Sequence, residues 1–160
     1  MVSKDQMMSL IDETLHDIDL HSDEAVSLVY NTGLVESKYK YLYQVGGSNV
    51  ARGFFQCEPD NAVDICKNYL AYRKELLREV ASACMVDWRY LTSPEADAWR
   101  TILTYNIKAQ IAMCRLHWRR VPKKLPKTLE GQATQWKRFY NTARGKGTVD
   151  HFLKIVGTYG

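Results

Sequence analysis

The apolar residues of this chain recur at intervals of three and four, and this spacing is the feature that most limits how the chain folds. Between residues 5 and 19 the stripe consists of Met8, Ile11, Leu15 and Ile18. One face of an α-helix repeats every ~3.6 residues, so the stripe predicts an amphipathic helix that packs one side against a core. Strand-like alternation is almost absent from the sequence, which favours a mainly α protein.

A second helix is predicted directly after the first. Ser22 has the side chain of a helix N-cap, and Asp23 and Glu24 follow it in the first turn, where negative charge interacts favourably with the helix dipole. The apolar residues that come next predict a helix that continues to about Ser37, through Gly33. The predicted end of this helix lies next to Glu36, an ionisable residue.

Turn residues divide the remainder of the chain into further helices. Gly46-Gly47-Ser48-Asn49 predicts a turn within a short loop/β region around residues 44–58. Ser93-Pro94-Glu95 is typical of a helix start, with proline at the first helical position. Beyond residue 59, helices are predicted over 60–70 and 73–87, and one long helix runs from Pro94 and ends before Pro122. A connector at 122–127 follows, and two shorter helices are predicted over 129–142 and 148–156. At 160 residues the chain fits one domain, residues 1–160.

Charge is distributed unevenly along the chain. Residues 1–114 contain 11 basic and 16 acidic residues, a net charge of −5, whereas residues 115–160 contain 11 basic and 2 acidic residues, a net charge of +9. A basic third on an acidic body favours a polyanionic partner, through the segment 115–146: an anionic envelope polymer, an acidic membrane surface or nucleic acid. Nucleic acid is the weakest of these because no reader motif is present, and a simply solvated face is the alternative. The basic residues concerned are Arg115, Arg119, Arg120, Lys123, Lys124, Lys127, Lys137 and Arg138.

The sequence contains no export or membrane-spanning signal. Met1–Gln6 lacks the basic and then apolar run of a signal peptide, and no stretch approaches the ~20 apolar residues that span a bilayer. We therefore expect synthesis in a cytoplasm without a transmembrane segment, and, if the target lies elsewhere, delivery by something other than this sequence.

Cysteine and histidine spacing does not indicate a metal or a cofactor. Cys57, Cys66, Cys84 and Cys114 contain no C-x2-C pair and lie among apolar residues, so we predict four reduced, buried thiols. His16, His21, His117 and His151 form neither H-E-x-x-H nor a pair four residues apart. Gly145-Lys146-Gly147-Thr148 is not a phosphate loop, because Tyr140 stands where that motif requires glycine.

Glu36 is the candidate for acid–base chemistry. It lies at the predicted C-terminal end of a largely apolar helix, and both apolar surroundings and the negative end of the helix dipole raise a carboxyl pKa. A carboxylic acid that stays protonated near neutral pH is what a general acid requires. Downstream glycines permit close approach to a ligand, and Phe54, Phe55 and Gln56 offer an apolar wall and one amide that suit a sugar. Taken alone, these residues are explained more simply by a solvated glutamate and an ordinary glycine loop.

A resemblance to a known family favours the catalytic interpretation of Glu36 instead. Glu36-Ser37, followed about fifteen residues later by Ala51-Arg52-Gly53-Phe54-Phe55-Gln56-Cys57-Glu58-Pro59, resembles the goose-type lysozyme and soluble lytic transglycosylase superfamily, with its helix-terminal E-S and A-x-G-[LF]-[MF]-Q-x-x-P. Asn106-Ile107 with Ala109 and Leu116, and then Phe139-Tyr140-Asn141, are similar to later elements of that family, so the similarity covers residues ~22–141. The sequence departs from the pattern at Val50 and Ala143, where the family usually has glycine.

The resemblance implies a single-domain lysozyme-like fold that cleaves the β-1,4 bond between N-acetylmuramic acid and N-acetylglucosamine in peptidoglycan. It assigns the catalytic acid to Glu36, the groove-lining amide to Gln56 and a tyrosine facing the acid to Tyr140. Ser37 and Asn141 lie beside these matched positions and are further candidates for substrate binding, together with Phe55. No cofactor is implied.

The resemblance also implies a reaction type. In this family one glutamate protonates the glycosidic oxygen and then withdraws the proton of the muramic C6 hydroxyl, which closes a 1,6-anhydro ring. Hydrolysis is the alternative and needs a second carboxyl about 5–9.5 Å from the first. Glu58 and Asp60 are the sequence candidates for that second acid.

The C-terminal segments suggest a biological context. Trp136–Thr142 and Gly145–Thr148 resemble small phage-encoded proteins that degrade cell walls, which implies an endolysin or a virion-associated lysozyme acting in the periplasm or wall. Two alternatives belong to other classes. An inactive lysozyme-like virion protein predicts an exposed Glu36 with no groove beside Gln56. A basic nucleic-acid-binding module predicts DNA affinity that falls steeply with salt.

Overall fold

Nine α-helices carry most of the described chain, residues 1–141 and 145–160 of the computed structural model, and confirm the mainly α prediction. They are α1 Lys4–Asp17, α2 Asp23–Ser37, α3 Pro59–Asn68, α4 Lys74–Cys84, α5 Arg89–Thr92, α6 Ala96–Tyr105, α7 Ile107–Arg119, α8 Leu129–Gln135 and α9 Val149–Tyr159. A 3-10 turn, Leu70–Tyr72, links α3 to α4, and a π-helical segment, Trp136–Asn141, continues α8. One hydrophobic core joins residues from α1 to α9 in a single compact domain.

Helix α2 runs through the centre of the molecule. It packs against α1, α7 and α9, and most of its side chains are buried, including Leu28, Val29 and Leu34. Ser22 caps it as predicted, with its Oγ accepting a hydrogen bond from the backbone N–H of Ala25 at 3.1 Å. The helix continues through Gly33, where the buried ring of Tyr39 occupies the space that a β-carbon would need, so the position requires glycine. A central, fully packed helix is a rigid support for the residue at its end.

The predicted loop/β region is a loop with two isolated bridges. Arg52 pairs with Tyr43 and with Cys57, and no strand occurs in residues 1–141 or 145–160. The Gln44 Oε1 accepts the backbone N–H groups of Val50 and Ala51 at 3.0 and 3.1 Å, which closes the predicted turn without a ladder. The segment is therefore held by side chains and single bridges rather than by a sheet.

The prediction of one long helix from Pro94 is wrong. Asn106 has extended backbone angles (φ −99°, ψ 98°) and separates α6 from α7. Its side chain explains the break, because Oδ1 caps the backbone N–H of Ala109 at 2.9 Å while Nδ2 donates to the Cys84 carbonyl at 2.8 Å. The helix start is also shifted: Glu95 is the N-cap of α6, so Pro94 lies before the helix.

The C-terminal predictions hold with one change of helix type. The predicted helix 129–142 is α8 followed by the π-helical segment, and its last residue, Thr142, lies outside the described residues, as does Ala143. Thr148 caps α9, as its Oγ1 accepts the backbone N–H of His151 at 3.0 Å.

All four cysteines are buried and free, as predicted. Within the part of the chain that the structure describes, no helix combines the length and apolar character needed to cross a membrane.

Candidate active site

A groove of about 1010 Å³ opens at the C-terminal end of α2. Its lining comes from the end of α2, the segment 41–61, His117 of α7, the π-helical segment and the residues 145–151. Three of the predicted site residues share this groove with Glu36, namely Gln56, Tyr140 and Asn141. Residues far apart in the sequence thus meet around one carboxyl group.

Glu36 is half-buried in the last turn of α2 and lines the groove. Burial raises its pKa from 4.5 to about 7, and this effect outweighs a hydrogen bond of 3.2 Å from the indole N–H of Trp136 to Oε2, which lowers the pKa. The carboxyl group also lies at the negative end of the helix, which disfavours its charged form. At neutral pH the carboxyl is therefore divided between acid and carboxylate, as a group that gives and takes a proton must be.

Ser37 stands behind Glu36 rather than in the groove. Its buried hydroxyl donates to the Gly33 carbonyl at 3.2 Å and accepts the backbone N–H of Tyr39 at 3.1 Å. Lys38 and Tyr39 then take left-handed backbone angles (φ 53° and 54°) that turn the chain away from the helix. Both bonds of Ser37 fix this sharp exit, so the residue positions the end of α2.

Tyr140 connects the π-helical segment to the opposite wall. Its hydroxyl donates a hydrogen bond to the Phe55 carbonyl, and its ring stacks on Trp118 with centroids 5.6 Å apart. Burial raises the pKa of Tyr140, which keeps the hydroxyl protonated as a donor. Among the described atoms its hydroxyl makes no hydrogen bond to Glu36, although both residues line the groove.

The other predicted residues divide between groove and core. Gln56 lines the groove with a left-handed backbone (φ 50°), and its Nε2 donates to the Gly53 carbonyl at 2.9 Å. Asn141 lines it as well, with Oδ1 accepting from Lys137 Nζ at 3.0 Å. The ring of Phe55 is buried and packs edge-on against Tyr39, so only its carbonyl reaches the site, through Tyr140.

The groove also contains residues that the sequence did not single out. His117 Nε2 donates to the Phe139 carbonyl at 2.8 Å, and its Nδ1 faces Asn61 Nδ2 at 3.4 Å. Burial lowers the pKa of His117, so the ring is neutral, with Nδ1 as the acceptor. Tyr41 and Tyr43 stand at the rim with 48% and 55% of their surface exposed, as sugar-stacking rings would need to be. His117 and Asn61 are joined by no motif and no regular spacing in the sequence, so no signal in the sequence indicates this pair.

The two candidates for a second acid differ in position. Glu58 is exposed and lines the groove. Asp60 is exposed too, one residue into α3, and is absent from the groove lining. Glu58 is consequently the better candidate of the two for a carboxyl that activates water.

Fewer of the basic residues of the segment 115–146 form a free surface than the sequence predicts. Arg115 is buried, with Nε donating to the Leu20 carbonyl at 3.0 Å, and Arg120 pairs with Asp64 at 2.8 Å. Lys137 donates to Asn141 and to the Gly145 carbonyl inside the site. Arg120 stays exposed despite its ion pair, and the remaining predicted basic residues are exposed as well: Arg119, Lys123, Lys124, Lys127 and Arg138.

Comparisons with known proteins add no identification. No protein-family model matches the chain, and no match was found among curated proteins or solved structures.

Proposed function

We propose that this protein cleaves the β-1,4 bond between N-acetylmuramic acid and N-acetylglucosamine in peptidoglycan, with Glu36 as general acid and base. The observation that carries the proposal is the half-buried Glu36 carboxyl, with a pKa of about 7, at the wall of a groove of about 1010 Å³. Exposed tyrosine rings at the rim and amide groups inside are the side chains that sugars favour. The resemblance of the Glu36-Ser37 and Ala51–Pro59 blocks supplies the identity of the polymer.

The reaction proposed is lytic transglycosylation, because one carboxyl suffices for it. Protonated Glu36 gives its proton to the glycosidic oxygen as the C1–O bond breaks and the N-acetylglucosamine end departs. The muramic C6 oxygen then bonds to C1, and its proton passes to the Glu36 carboxylate. The acid form is restored without water, and a group whose pKa lies near ambient pH performs both transfers well.

Assay of purified murein with Glu36→Gln tests the catalytic assignment. Glutamine keeps the shape but transfers no proton, so we expect turnover to fall by at least about 100-fold. Glu58→Gln is the matched control, with the same change at the exposed carboxyl of the same groove. Undiminished clearing by Glu36→Gln contradicts the proposal.

Mass spectrometry of the products separates the two reaction types. We expect 1,6-anhydro ends from the wild type and from Glu58→Gln. Reducing ends from the wild type, together with loss of activity in Glu58→Gln, would instead establish hydrolysis with two carboxyls. Either product shows that the same bond is cut, and the chemical form of the new ends shows whether the reaction is transglycosylation or hydrolysis.

The inactive virion alternative predicted an exposed Glu36 with no groove beside Gln56. Glu36 is half-buried and Gln56 lines the same groove, which favours retained catalysis. We place the activity in a phage context, as an endolysin or a virion-associated enzyme acting at the cell wall.

A further inference from the structure

Three polar side chains converge at the end of α1, outside the groove. Asp12 Oδ1 lies 2.6 Å from His21 Nε2, and Asp12 Oδ2 lies 3.9 Å from His16 Nε2. The two imidazole rings stack with centroids 3.7 Å apart and an angle of 15° between their planes. One potential ligand atom from each residue lies within 4.8 Å of the other two, and none of the three residues lines the groove.

The surroundings of this cluster favour a cation. Asp12 and His16 belong to the last two turns of α1, whose C-terminal end is negative. The segment 1–24 contains seven acidic residues, and Lys4 is its one basic residue. The nearby Lys108 is engaged with Asp17 at 2.8 Å and Glu13 at 3.7 Å, so it leaves Asp12 to the histidines.

We propose that Asp12, His16 and His21 form a binding site for a divalent transition-metal ion of the zinc type. Two imidazole nitrogens and one carboxylate oxygen are ligands that Zn²⁺ takes in a tetrahedral arrangement, and they are unsuited to Mg²⁺ or Ca²⁺. Ligand atoms of a tetrahedral Zn²⁺ lie about 3.4 Å apart, since each bond is about 2.1 Å. The present separations of 2.6 and 3.9 Å bracket that value, so rotation of surface side chains is enough to admit the ion.

The fourth position of the ion faces solvent. The side chains of His16 and Asp12 are 61% and 52% exposed, and that of His21 is 23% exposed. Water therefore completes the coordination. The bound ion joins α1 to the turn before Ser22, the cap of α2, so it stabilises the start of the helix that ends at Glu36.

Titration of the full chain with Zn²⁺ by isothermal calorimetry in a chelator-free buffer tests the site. We expect one ion per chain, and affinity at least about tenfold weaker in His16→Gln, in His21→Gln and in Asp12→Asn. Glu13→Gln is the control for charge, because it removes one negative charge from the neighbouring position but faces Lys108. Its affinity should equal that of the wild type.

A second readout is the thermal unfolding midpoint, since an ion that binds only the folded state raises it. Zn²⁺ should raise the midpoint of the wild type and of Glu13→Gln, but not that of His16→Gln/His21→Gln. Absence of Zn²⁺ binding by the wild type overturns the proposal. So does a double variant that binds with wild-type affinity, or a response to Mg²⁺ equal to that to Zn²⁺.

Discussion

At Glu36, two physical effects act in opposite directions on one carboxyl group. Withdrawal from water disfavours the anion, whereas the indole N–H of Trp136 stabilises it, and the net result is a pKa of about 7. The balance is specific to this residue, because it requires both the apolar end of α2 and an aromatic side chain one hundred positions later. Changing either contribution should move the titration in a known direction.

The pH dependence of activity follows from this balance. The proposed mechanism requires the acid form, so kcat/KM should fall about tenfold for each pH unit above about 7. Trp136→Phe removes the hydrogen bond that lowers the pKa, so the alkaline limb should move to higher pH. A pH–rate profile on soluble glycan fragments measures both.

Trp99→Phe is the matched control for that profile. Trp99 is also buried and also donates through Nε1, to the Tyr90 carbonyl at 2.8 Å, but it does not line the groove. An alkaline limb that shifts equally in both tryptophan variants would show that the effect is general destabilisation. An unmoved limb in Trp136→Phe would contradict the role of the hydrogen bond.

Glu36 also links stability to pH. Because its pKa is raised on folding, protonation favours the folded state, and that contribution is complete below pH 4.5 and lost as the pH rises through about 7. Glu36→Gln should therefore raise the free energy of unfolding near pH 9 by up to about 3 kcal/mol and change it little near pH 4. Urea denaturation at both pH values measures this, and a gain equal at the two values would contradict it.

For single residues, the sequence predicts a functional role best where the neighbouring side chains are also close in the sequence. Glu36 is singled out by its place at the end of an apolar helix that is contiguous in the chain, together with the resemblance of the Glu36-Ser37 and Ala51–Pro59 blocks to a known family. The pair His117 and Asn61 lies 56 positions apart, and only packing brings the two side chains together. His16 and His21 are five residues apart, which is not a helical ligand spacing, and they meet because the chain turns between α1 and α2.

Among the helices, the break at Asn106 shows that apolar periodicity does not determine where one helix ends and the next begins. The apolar stripe continues in phase across α6 and α7, so it predicted one helix. An asparagine side chain competes with the helix by capping the next turn, and the Cys84 carbonyl accepts its remaining N–H. By contrast Ser22, with two acidic residues directly after it, could be predicted as a cap, and it caps α2; Thr128 and Thr148 cap α8 and α9 in the same way.

Asn106 is therefore a testable junction. Asn106→Ala loses the cap and the bond to Cys84, and should lower the free energy of unfolding by about 2 kcal/mol. Asn106→Asp keeps the capping oxygen but loses the donated bond, so it should cost about half as much. Chemical denaturation measures both. Equal losses in the two variants would mean that the cap contributes nothing.

On the scale of the whole molecule, charge separates into regions with different roles. Arg115 is buried, half-buried Lys137 donates to Asn141 and to the Gly145 carbonyl, and exposed Arg120 is paired with Asp64, so these three residues add less to a polymer-binding surface than the sequence predicts. Exposed lysines remain on the connector between α7 and α8, and Lys146 lines the groove itself. The total charge in the sequence could not reveal this division, because pairing and burial depend on the fold.

The exposed lysines of the connector between α7 and α8 are expected to attract an anionic polymer. Lys123→Gln/Lys124→Gln/Lys127→Gln removes three exposed positive charges outside the groove lining, so adsorption to whole cell walls should weaken while turnover of short soluble glycans is retained. The difference should shrink as salt is added, because exposed charges are screened. Cosedimentation with walls and a fragment assay, each at low and high salt, measure the two effects.

The control for this prediction removes the same charge elsewhere. Lys67→Gln/Lys74→Gln/Arg78→Gln neutralises three exposed residues of α3 and α4, on the acidic part of the chain. If net charge alone governed adsorption, both triple variants would weaken it equally. Equal loss of wall binding and of fragment turnover in the connector variant would place those lysines in catalysis instead. Selective loss of wall adsorption would identify the connector as the surface that holds the protein on an anionic polymer.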